Sequence, residues 1–227
     1  MIPRPAQPIV AALDVSSIED AERLATLLAP HVGMLKVGLE LLWAEGPGAV
    51  RRVRAHAPVF VDCKLHDIPT TVERAAANVA GLGAAMLNVH ALGGEAMMRA
   101  ARRGAARGAD EAGVETPLVV AVTVLSSDAG EGLASPASLA FEAKAAGLDG
   151  VVVSGDDVED VRATCGEGFC LVVPGIRPAG SNGHDQVRVL TPQEAIEKGA
   201  DYLVIGRPLT EAADPAGVAS AIASAIR

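Results

Sequence analysis

Short apolar segments alternate along the chain with longer Ala-rich segments in which apolar residues recur at helical spacing. This alternation indicates repeated βα units around a parallel sheet. Eight pairs fit a closed barrel better than an open doubly wound sheet, which usually has about five or six strands. We therefore predict an α/β fold, a single (β/α)8 (TIM) barrel over residues 1–227 with residues 1–8 as a flexible leader. The predicted strands are Ile9–Val15, Met34–Leu39, Val59–Leu65, Ala85–Ala91, Leu118–Leu125, Gly150–Ser154, Cys170–Gly175 and Tyr202–Gly206.

Helix boundaries are marked by capping residues and prolines. Ser17–Ala29 starts with a serine that can cap a first turn carrying two acids, and helices over Thr70–Leu82 and Pro192–Lys198 start at or just after a proline. Two long polar segments, Ser126–Pro136 and Ile176–Leu190, fit neither pattern. Loops of this length in a compact domain are often lids or binding loops.

Composition excludes several classes of partner. Aromatic residues make up only 2% of the chain and the net charge is −9, so a nucleic-acid partner is not expected. No apolar run reaches membrane-spanning length. The three cysteines, Cys63, Cys165 and Cys170, are an odd set without metal-site spacing, which predicts buried free thiols in a reducing compartment. We expect a cytoplasmic protein.

Polar residues interrupt nearly every predicted strand near its carboxyl end, where barrel enzymes keep their active sites. Taken singly, each could have a purely structural role: an aspartate can cap the next helix, a lysine can belong to a structural ion pair, and a hydroxyl can sit in the core. Together they predict a charged site at the barrel mouth. The residues are Asp14, Lys36, Asp62, Lys64, Asn88, His90, Thr123, Ser154 and Arg207.

The segment VFVDCKLHDIPTT carries the most specific chemistry. Asp62 and Lys64 point to the same side of a strand, and we expect Asp67 to join them after the turn. A lysine between carboxylates stays an ammonium, which argues against a Schiff base and suits stabilising and then protonating a carbanion. Two aspartates with His66 could instead hold a hard cation, although the interposed lysine weakens that alternative.

Phosphate recognition is predicted after strands seven and eight. Barrels often bind phosphate with the loops after strands seven and eight, where Arg177, Gly206 and Arg207 lie. No dinucleotide-binding or Walker-type segment is present, so we expect no nucleotide cofactor. We also assign no residue to a metal.

Seven motifs together resemble the orotidine 5'-phosphate decarboxylase family over nearly the whole chain. The D-x-K-x-x-D core also occurs in related sugar-phosphate enzymes, but its combination with the other motifs is specific. They are ALDV at Ala12–Val15, KVG at Lys36–Gly38, DCKLHDIPTT at Asp62–Thr71, NVHA at Asn88–Ala91, PGIRP at Pro174–Pro178, DQ at Asp185–Gln186 and IGRP at Ile205–Pro208.

The resemblance implies cofactor-independent decarboxylation of orotidine 5'-phosphate to uridine 5'-phosphate in pyrimidine synthesis. By this resemblance, Lys64 protonates C6 of the pyrimidine, and Asp62 lies against the departing carboxylate and repels it. Asp67 reaches the active site of a partner subunit in a homodimer. It also implies a set of substrate-binding residues: Asp14 and Lys36 at the ribose, Thr71, Ser126 and Ser127 at the nucleotide, and Arg177, Gln186, Gly206 and Arg207 at the phosphate, under a lid formed by residues 176–190. Family members often have threonine where Ser126 stands.

Two alternatives stay open from the sequence. One is a magnesium-dependent sugar-phosphate decarboxylase or aldolase of the same barrel group, which a chelator would inactivate. The other is a non-catalytic nucleotide-binding barrel, which would have no need for the charged cluster at Asp62, Lys64 and Asp67.

Overall fold

The computed structural model describes residues 5–124, 134–178 and 190–226. Within these ranges eight parallel strands close into a barrel in chain order, and β8 pairs with β1. The predicted barrel is therefore confirmed. The strands are β1 (Ile9–Ala12), β2 (Met34–Val37), β3 (Val59–Leu65), β4 (Met86–His90), β5 (Leu118–Val122), β6 (Gly150–Val152), β7 (Cys170–Val173) and β8 (Tyr202–Ile205).

Most strands are shorter than the apolar runs that predicted them. Asp14, Thr123 and Ser154 consequently lie just after β1, β5 and β6 rather than inside them. A run of apolar residues shows where a segment is buried, but burial continues past the last ladder hydrogen bond.

Helices surround the barrel, and their sequence-marked starts are confirmed. Ser17 caps α1 by accepting a hydrogen bond from the Asp20 amide, and Thr191 forms a capping box with Glu194 at α8. The helices are α1 (Ile18–Leu28), α2 (Leu39–Glu45), α3 (Gly48–Arg54), α4 (Pro69–Gly81), α5 (Gly94–Ala112), α6 (Pro136–Ala145), α7 (Val158–Cys165), α8 (Pro192–Glu197), α9 (Arg207–Thr210) and α10 (Pro215–Ala225).

The strands separate two apolar layers. The inner layer fills the barrel and includes Val10, Phe60, Met86 and Val172, while a larger outer layer packs the strands against the helices. Because side chains alternate along a strand, a residue two positions after Phe60 also points inward. That residue is Asp62, so the core packing of β3 directs this carboxylate into the barrel mouth.

Two glycines let α4 and α5 approach closely. A side-chain carbon at Gly104 would lie 2.0 Å from the Glu73 carbonyl oxygen, and one at Gly108 would lie 2.0 Å from that of Ala77. These distances leave no room for a side chain. The close packing fixes α4, which starts shortly after the segment that carries Asp62 and Lys64.

The predicted thiols are free, and burial raises the pKa of Cys63 to about 11. Of the predicted leader, residues 1–4 lie outside the described ranges, and the Pro8 carbonyl oxygen accepts a hydrogen bond from the Leu203 amide of β8. No helix in the described ranges is long and apolar enough to cross a membrane.

Candidate active site

A cavity of about 340 Å³ opens at the carboxyl end of the barrel strands. It combines acidic, basic and apolar side chains, as expected for a small polar ligand. Its lining includes Asp14, Lys36, Phe60, Asp62, Lys64, Asn88, Val122, Val152, Ser154, Ile176, Arg177, Val204, Gly206 and Arg207.

Four charges of alternating sign form a continuous row along one wall of this cavity. Lys36 Nζ lies 2.9 Å from Asp14 Oδ1 and 3.2 Å from Asp62 Oδ2, and Lys64 Nζ lies 2.6 Å from Asp62 Oδ1. We call Asp14, Lys36, Asp62 and Lys64 the charged row. The predicted meeting of Asp62 and Lys64 is confirmed, and both oxygens of Asp62 bind an ammonium.

The inner members of the charged row are held in their ionised forms. Burial lowers the pKa of Lys36, but the charges of Asp62 and Asp14 outweigh burial and hold that pKa above its ordinary value. Burial likewise raises the pKa of Asp62. The charges of Lys36 and Lys64, with hydrogen bonds from Lys64 and Asn88, outweigh it and hold that pKa below the usual range.

The backbone of β3 is irregular at Lys64. Its φ is 46°, and among the described residues it is the only non-glycine with positive φ. The register between β3 and β4 shifts between Val61 and Leu65, so the strand bulges where it reaches the cavity. A left-handed lysine is strained, and such strain collects at functional sites.

Asp67 does not join the charged row within one chain, and the expectation that it would contact Lys64 is wrong for the described residues. Asp67 is exposed, and its Oδ1 accepts a hydrogen bond from the amide of the next residue, Ile68. The carboxylate does not line the cavity of its own chain. Thr71, in the first turn of α4, is also exposed.

The predicted phosphate residues lie on the β7 and β8 side of the same cavity. Arg177 is only 5% exposed, and its Nε has no hydrogen-bond partner in the described part of the chain. Arg207 and Gly206 follow β8 and line the cavity beside it. An unused, buried guanidinium donor facing a cavity is suited to an anionic ligand.

The structure also places several other residues that the sequence singled out. Ser154 lines the cavity, whereas the Thr123 hydroxyl donates to the Val152 carbonyl oxygen at 3.1 Å and is a core contact. His66 stacks on His90 with ring centroids 5.4 Å apart. In the described ranges no group of three or more His, Cys, Asp or Glu residues could hold a metal ion. Ser126, Ser127 and Gln186 lie outside the described residues.

Asn88 was predicted to lie at the barrel mouth, but the sequence assigned it no individual role. Its Nδ2 donates to Asp62 Oδ1 at 2.7 Å, and its Oδ1 accepts from the Lys64 amide at 2.7 Å. The available signal was a polar residue inside an apolar strand. Nothing in the sequence indicated the bulge that brings the Lys64 amide to it.

Comparison with known proteins agrees with this geometry. A profile of the Orotidine 5'-phosphate decarboxylase / HUMPS family matches residues 7–222. The orotidine 5'-phosphate decarboxylase of Anaeromyxobacter dehalogenans is 52% identical over 98% of this chain and 100% of its own, and that of Moorella thermoacetica is 46% identical over 96% and 91%.

Solved structures give the same result. The orotidine 5'-phosphate decarboxylase from Lactobacillus acidophilus superposes with a TM-score of 0.85 at 35% identity, covering 97% of this chain and 99% of that one. The enzyme from Pyrococcus horikoshii gives a TM-score of 0.78 at 27% identity, covering 96% and 99%. The chain therefore belongs to the Orotidine 5'-phosphate decarboxylase / HUMPS family.

Proposed function

We propose that the protein decarboxylates orotidine 5'-phosphate to uridine 5'-phosphate and CO2 in de novo pyrimidine synthesis, without a cofactor. The bond between C6 and the carboxylate breaks, and its electron pair stays on C6. The Lys64 ammonium stabilises this developing negative charge and transfers a proton to C6. Solvent then returns a proton to Lys64.

The contact that carries this proposal is the 2.6 Å pair between Lys64 Nζ and Asp62 Oδ1 at the cavity wall. A substrate carboxylate placed beside Asp62 is repelled, and the repulsion disappears as neutral CO2 leaves. The attraction between the Lys64 ammonium and C6 grows at the same time. Both changes favour the transition state over the bound substrate, which is the condition for raising kcat.

Binding energy for placing the carboxylate there comes from the phosphate in this proposal. Arg177 and Arg207 offer guanidinium donors on the β7 and β8 side of the cavity, and the protein's net charge of −9 makes such local cations necessary for an anionic substrate. Gly206 and Gln186 would complete the phosphate contacts. Contacts far from the reacting carbon then affect the rate as well as the affinity.

The remaining substrate contacts follow the positions of the polar residues. Asp14 is the outer end of the charged row, and its side chain is half exposed. It can therefore accept a hydrogen bond from a ribose hydroxyl while still paired with Lys36. Thr71, Ser126 and Ser127 are proposed to contact the nucleotide.

The test is the ultraviolet absorbance of orotidine 5'-phosphate mixed with purified protein in excess EDTA. Loss of the substrate spectrum at an undiminished rate in EDTA supports the proposal. If folded protein leaves the spectrum unchanged, the proposal fails. A parallel assay with magnesium and a hexulose or ketogulonate phosphate would then identify the sugar-phosphate alternative, whose activity EDTA abolishes.

We also propose that the protein works as a homodimer with shared active sites. Four exposed apolar residues follow the carboxyl ends of β2, β3 and β4, on the same rim as Asp67. They are Leu39, Trp43, Ile68 and Leu92, and Trp43 is 86% exposed. An apolar surface of this kind, next to an exposed aspartate that does not line its own cavity, suits association with a second copy through a two-fold axis.

Subunit mixing tests the shared site. Asp67→Ala and Lys64→Ala proteins are each inactive if both residues are essential. A hybrid dimer has one site with both substitutions and one site with neither if Asp67 acts across the interface. Random mixing of equal amounts should therefore restore about one quarter of the wild-type activity. No recovery, with hybrid formation verified by mass spectrometry, would rule out the sharing.

A further inference from the structure

The side chain of Asn88 joins two parts of the charged row that are two residues apart in β3. Its amide nitrogen donates to Asp62 Oδ1 at 2.7 Å, the same oxygen that accepts from Lys64 Nζ at 2.6 Å. Its amide oxygen accepts from the backbone nitrogen of Lys64 at 2.7 Å. One side chain therefore contacts the carboxylate of the pair and the backbone that carries the ammonium.

The second bond lies at the irregular point of β3. Lys64 has a φ of 46°, and the β3–β4 pairing shifts register around it. A bulge leaves backbone groups without their normal ladder partners. Asn88 supplies the acceptor that the displaced Lys64 amide needs, and it does so from the neighbouring strand β4.

We propose that Asn88 is a positioning residue for the decarboxylation: it fixes the Asp62 carboxylate and the Lys64 backbone relative to each other, so that the Lys64 ammonium is directed at the reacting carbon. This inference rests on the proposed function. Asn88 acts through Asp62 and Lys64 and need not touch the reacting atoms.

The chemistry of the site requires an amide at this position. Position 88 is only 1% exposed, so the Asp62 carboxylate and the Lys64 amide depend on this side chain for the two hydrogen bonds. The site needs one donor toward a carboxylate and one acceptor toward an N–H, and an asparagine side chain offers both. An apolar residue would leave the Lys64 amide unpaired, and an ionised aspartate would place a second negative charge against Asp62.

Asn88→Asp separates the two bonds because it keeps the shape and the acceptor but removes the donor. The charged groups around position 88 are Asp62 and Lys64 of β3, Lys36 of β2 beyond them, and His90, which follows on β4 and stacks with His66. At about pH 8, kcat should fall at least about tenfold, whereas KM should change less than about threefold because the phosphate contacts are elsewhere.

A lower pH should partly restore the kcat of Asn88→Asp. Two carboxylates so close together share a raised proton affinity, and the carboxyl group introduced by Asn88→Asp can, once protonated, donate to Asp62 as the amide did. The ratio of variant to wild-type kcat should therefore rise as the pH falls from about 8 to about 5.5. A residue that only supported the fold would show no such recovery.

Two matched variants control the result. Asn88→Ala loses both bonds and should lose kcat at every pH without recovery in acid. Thr123→Val removes a buried hydroxyl just after the neighbouring strand β5 that donates to the Val152 carbonyl, and should keep kcat within about twofold of wild type. Thermal unfolding of each variant checks that the proteins compared are folded.

A spectroscopic measurement tests the inference apart from turnover. Against burial, the charges of Lys36 and Lys64 and the hydrogen bonds from Lys64 and Asn88 hold the Asp62 pKa below its usual range. Loss of the Asn88 bond should therefore raise that pKa, and 13C NMR of the Asp62 carboxyl should show a higher pKa in Asn88→Ala than in wild type. An unchanged titration, or wild-type kcat in Asn88→Asp at about pH 8, overturns the inference. Inactivity of wild type with the NMR shift present would instead refute the proposed substrate and leave the positioning intact.

Discussion

Buried charges lie at both ends of the barrel, and their partners differ. At the amino end, Arg162 donates to Asp201 Oδ2 at 2.7 Å and also to three backbone carbonyls, those of Gly166, Phe169 and Gly199. The same Asp201 oxygen accepts from the Leu171 amide at 2.8 Å. These charges connect α7, β7 and β8 through main-chain groups, so they hold the fold together.

At the carboxyl end, the charged row consists of side chains that bind mainly one another. Lys36 binds Asp14 and Asp62, and Asp62 binds Lys64, beside a cavity and a strained backbone. These charges also bridge neighbouring strands, but they do so through side chains that line a cavity rather than through main-chain groups. The difference separates two uses of a buried ion pair: one contributes stability, whereas the other keeps charged groups ready for a ligand.

Asp62→Asn probes this difference at the carboxyl end and should lose turnover. The amide keeps the shape of the carboxylate but removes the negative charge between Lys36 and Lys64 and beside the substrate carboxylate. Turnover should fall by about a hundredfold or more, as when an electrostatic group at a reaction centre is removed. The assay is loss of orotidine 5'-phosphate absorbance per folded molecule, with the denaturant midpoint measured alongside. Full turnover in this variant would show that the charges at the carboxyl end of the barrel are not needed for the reaction.

Asp201→Ala should lose stability and keep its turnover. It leaves the Arg162 guanidinium without its acid and the Leu171 amide without its acceptor, so the free energy of unfolding should drop by about 3–5 kcal/mol. Turnover per folded molecule should stay within about twofold of wild type, since the substitution is at the other end of the barrel.

The control for that variant is Glu22→Ala, which breaks an exposed bidentate pair with Arg52. Exposed ion pairs of this kind contribute little to the free energy of unfolding, so the denaturant midpoint should barely change. If Glu22→Ala proved as destabilising as Asp201→Ala, burial would not explain the role of the amino-end charges.

A more moderate loss is expected at the phosphate side of the cavity. Arg207→Ala should lower kcat/KM by more than about tenfold and leave the fold intact, because phosphate contacts supply binding energy for the reaction. Arg99→Ala, which removes an exposed arginine on α5 paired with Glu95, is the matched control and should have no effect on kcat/KM. An unchanged kcat/KM in Arg207→Ala would contradict the phosphate assignment.

The smallest expected effect is the contribution of His90 to the pH dependence of the free energy of unfolding. Burial, with the nearby charges of His66 and Lys64, lowers the pKa of His90. Below about pH 6.5 the unfolded chain therefore binds a proton that folded His90 does not, and stability falls as the pH drops toward the folded pKa. The partly exposed ring keeps this contribution below about 1 kcal/mol.

Denaturant unfolding between about pH 7 and about pH 5 measures this contribution. His90→Gln should flatten the decline in stability, whereas His56→Gln, an exposed histidine after α3, should retain it. An identical slope in His90→Gln and wild type would show that His90 does not cause the decline.

Particular residues show how far the sequence predicted the structure. The eight strands were predictable because buried parallel strands are continuous apolar runs, and the inward pairing of Asp62 and Lys64 followed from strand alternation. The direction of Asp67 was not predictable, because proximity in sequence does not fix where a side chain points after a turn. The role of Asn88 was also hidden, because the bulge at Lys64 is formed without a glycine.

The turnover of Lys64→Ala decides whether the carboxyl-end charges perform the chemistry. Orotidine 5'-phosphate absorbance is followed in excess EDTA with equal amounts of folded wild type and variant. We predict rapid loss of substrate with wild type and a rate at least about a thousandfold lower with the variant, at an unfolding midpoint close to that of wild type. Turnover by Lys64→Ala within about tenfold of wild type would contradict this role for the charged row.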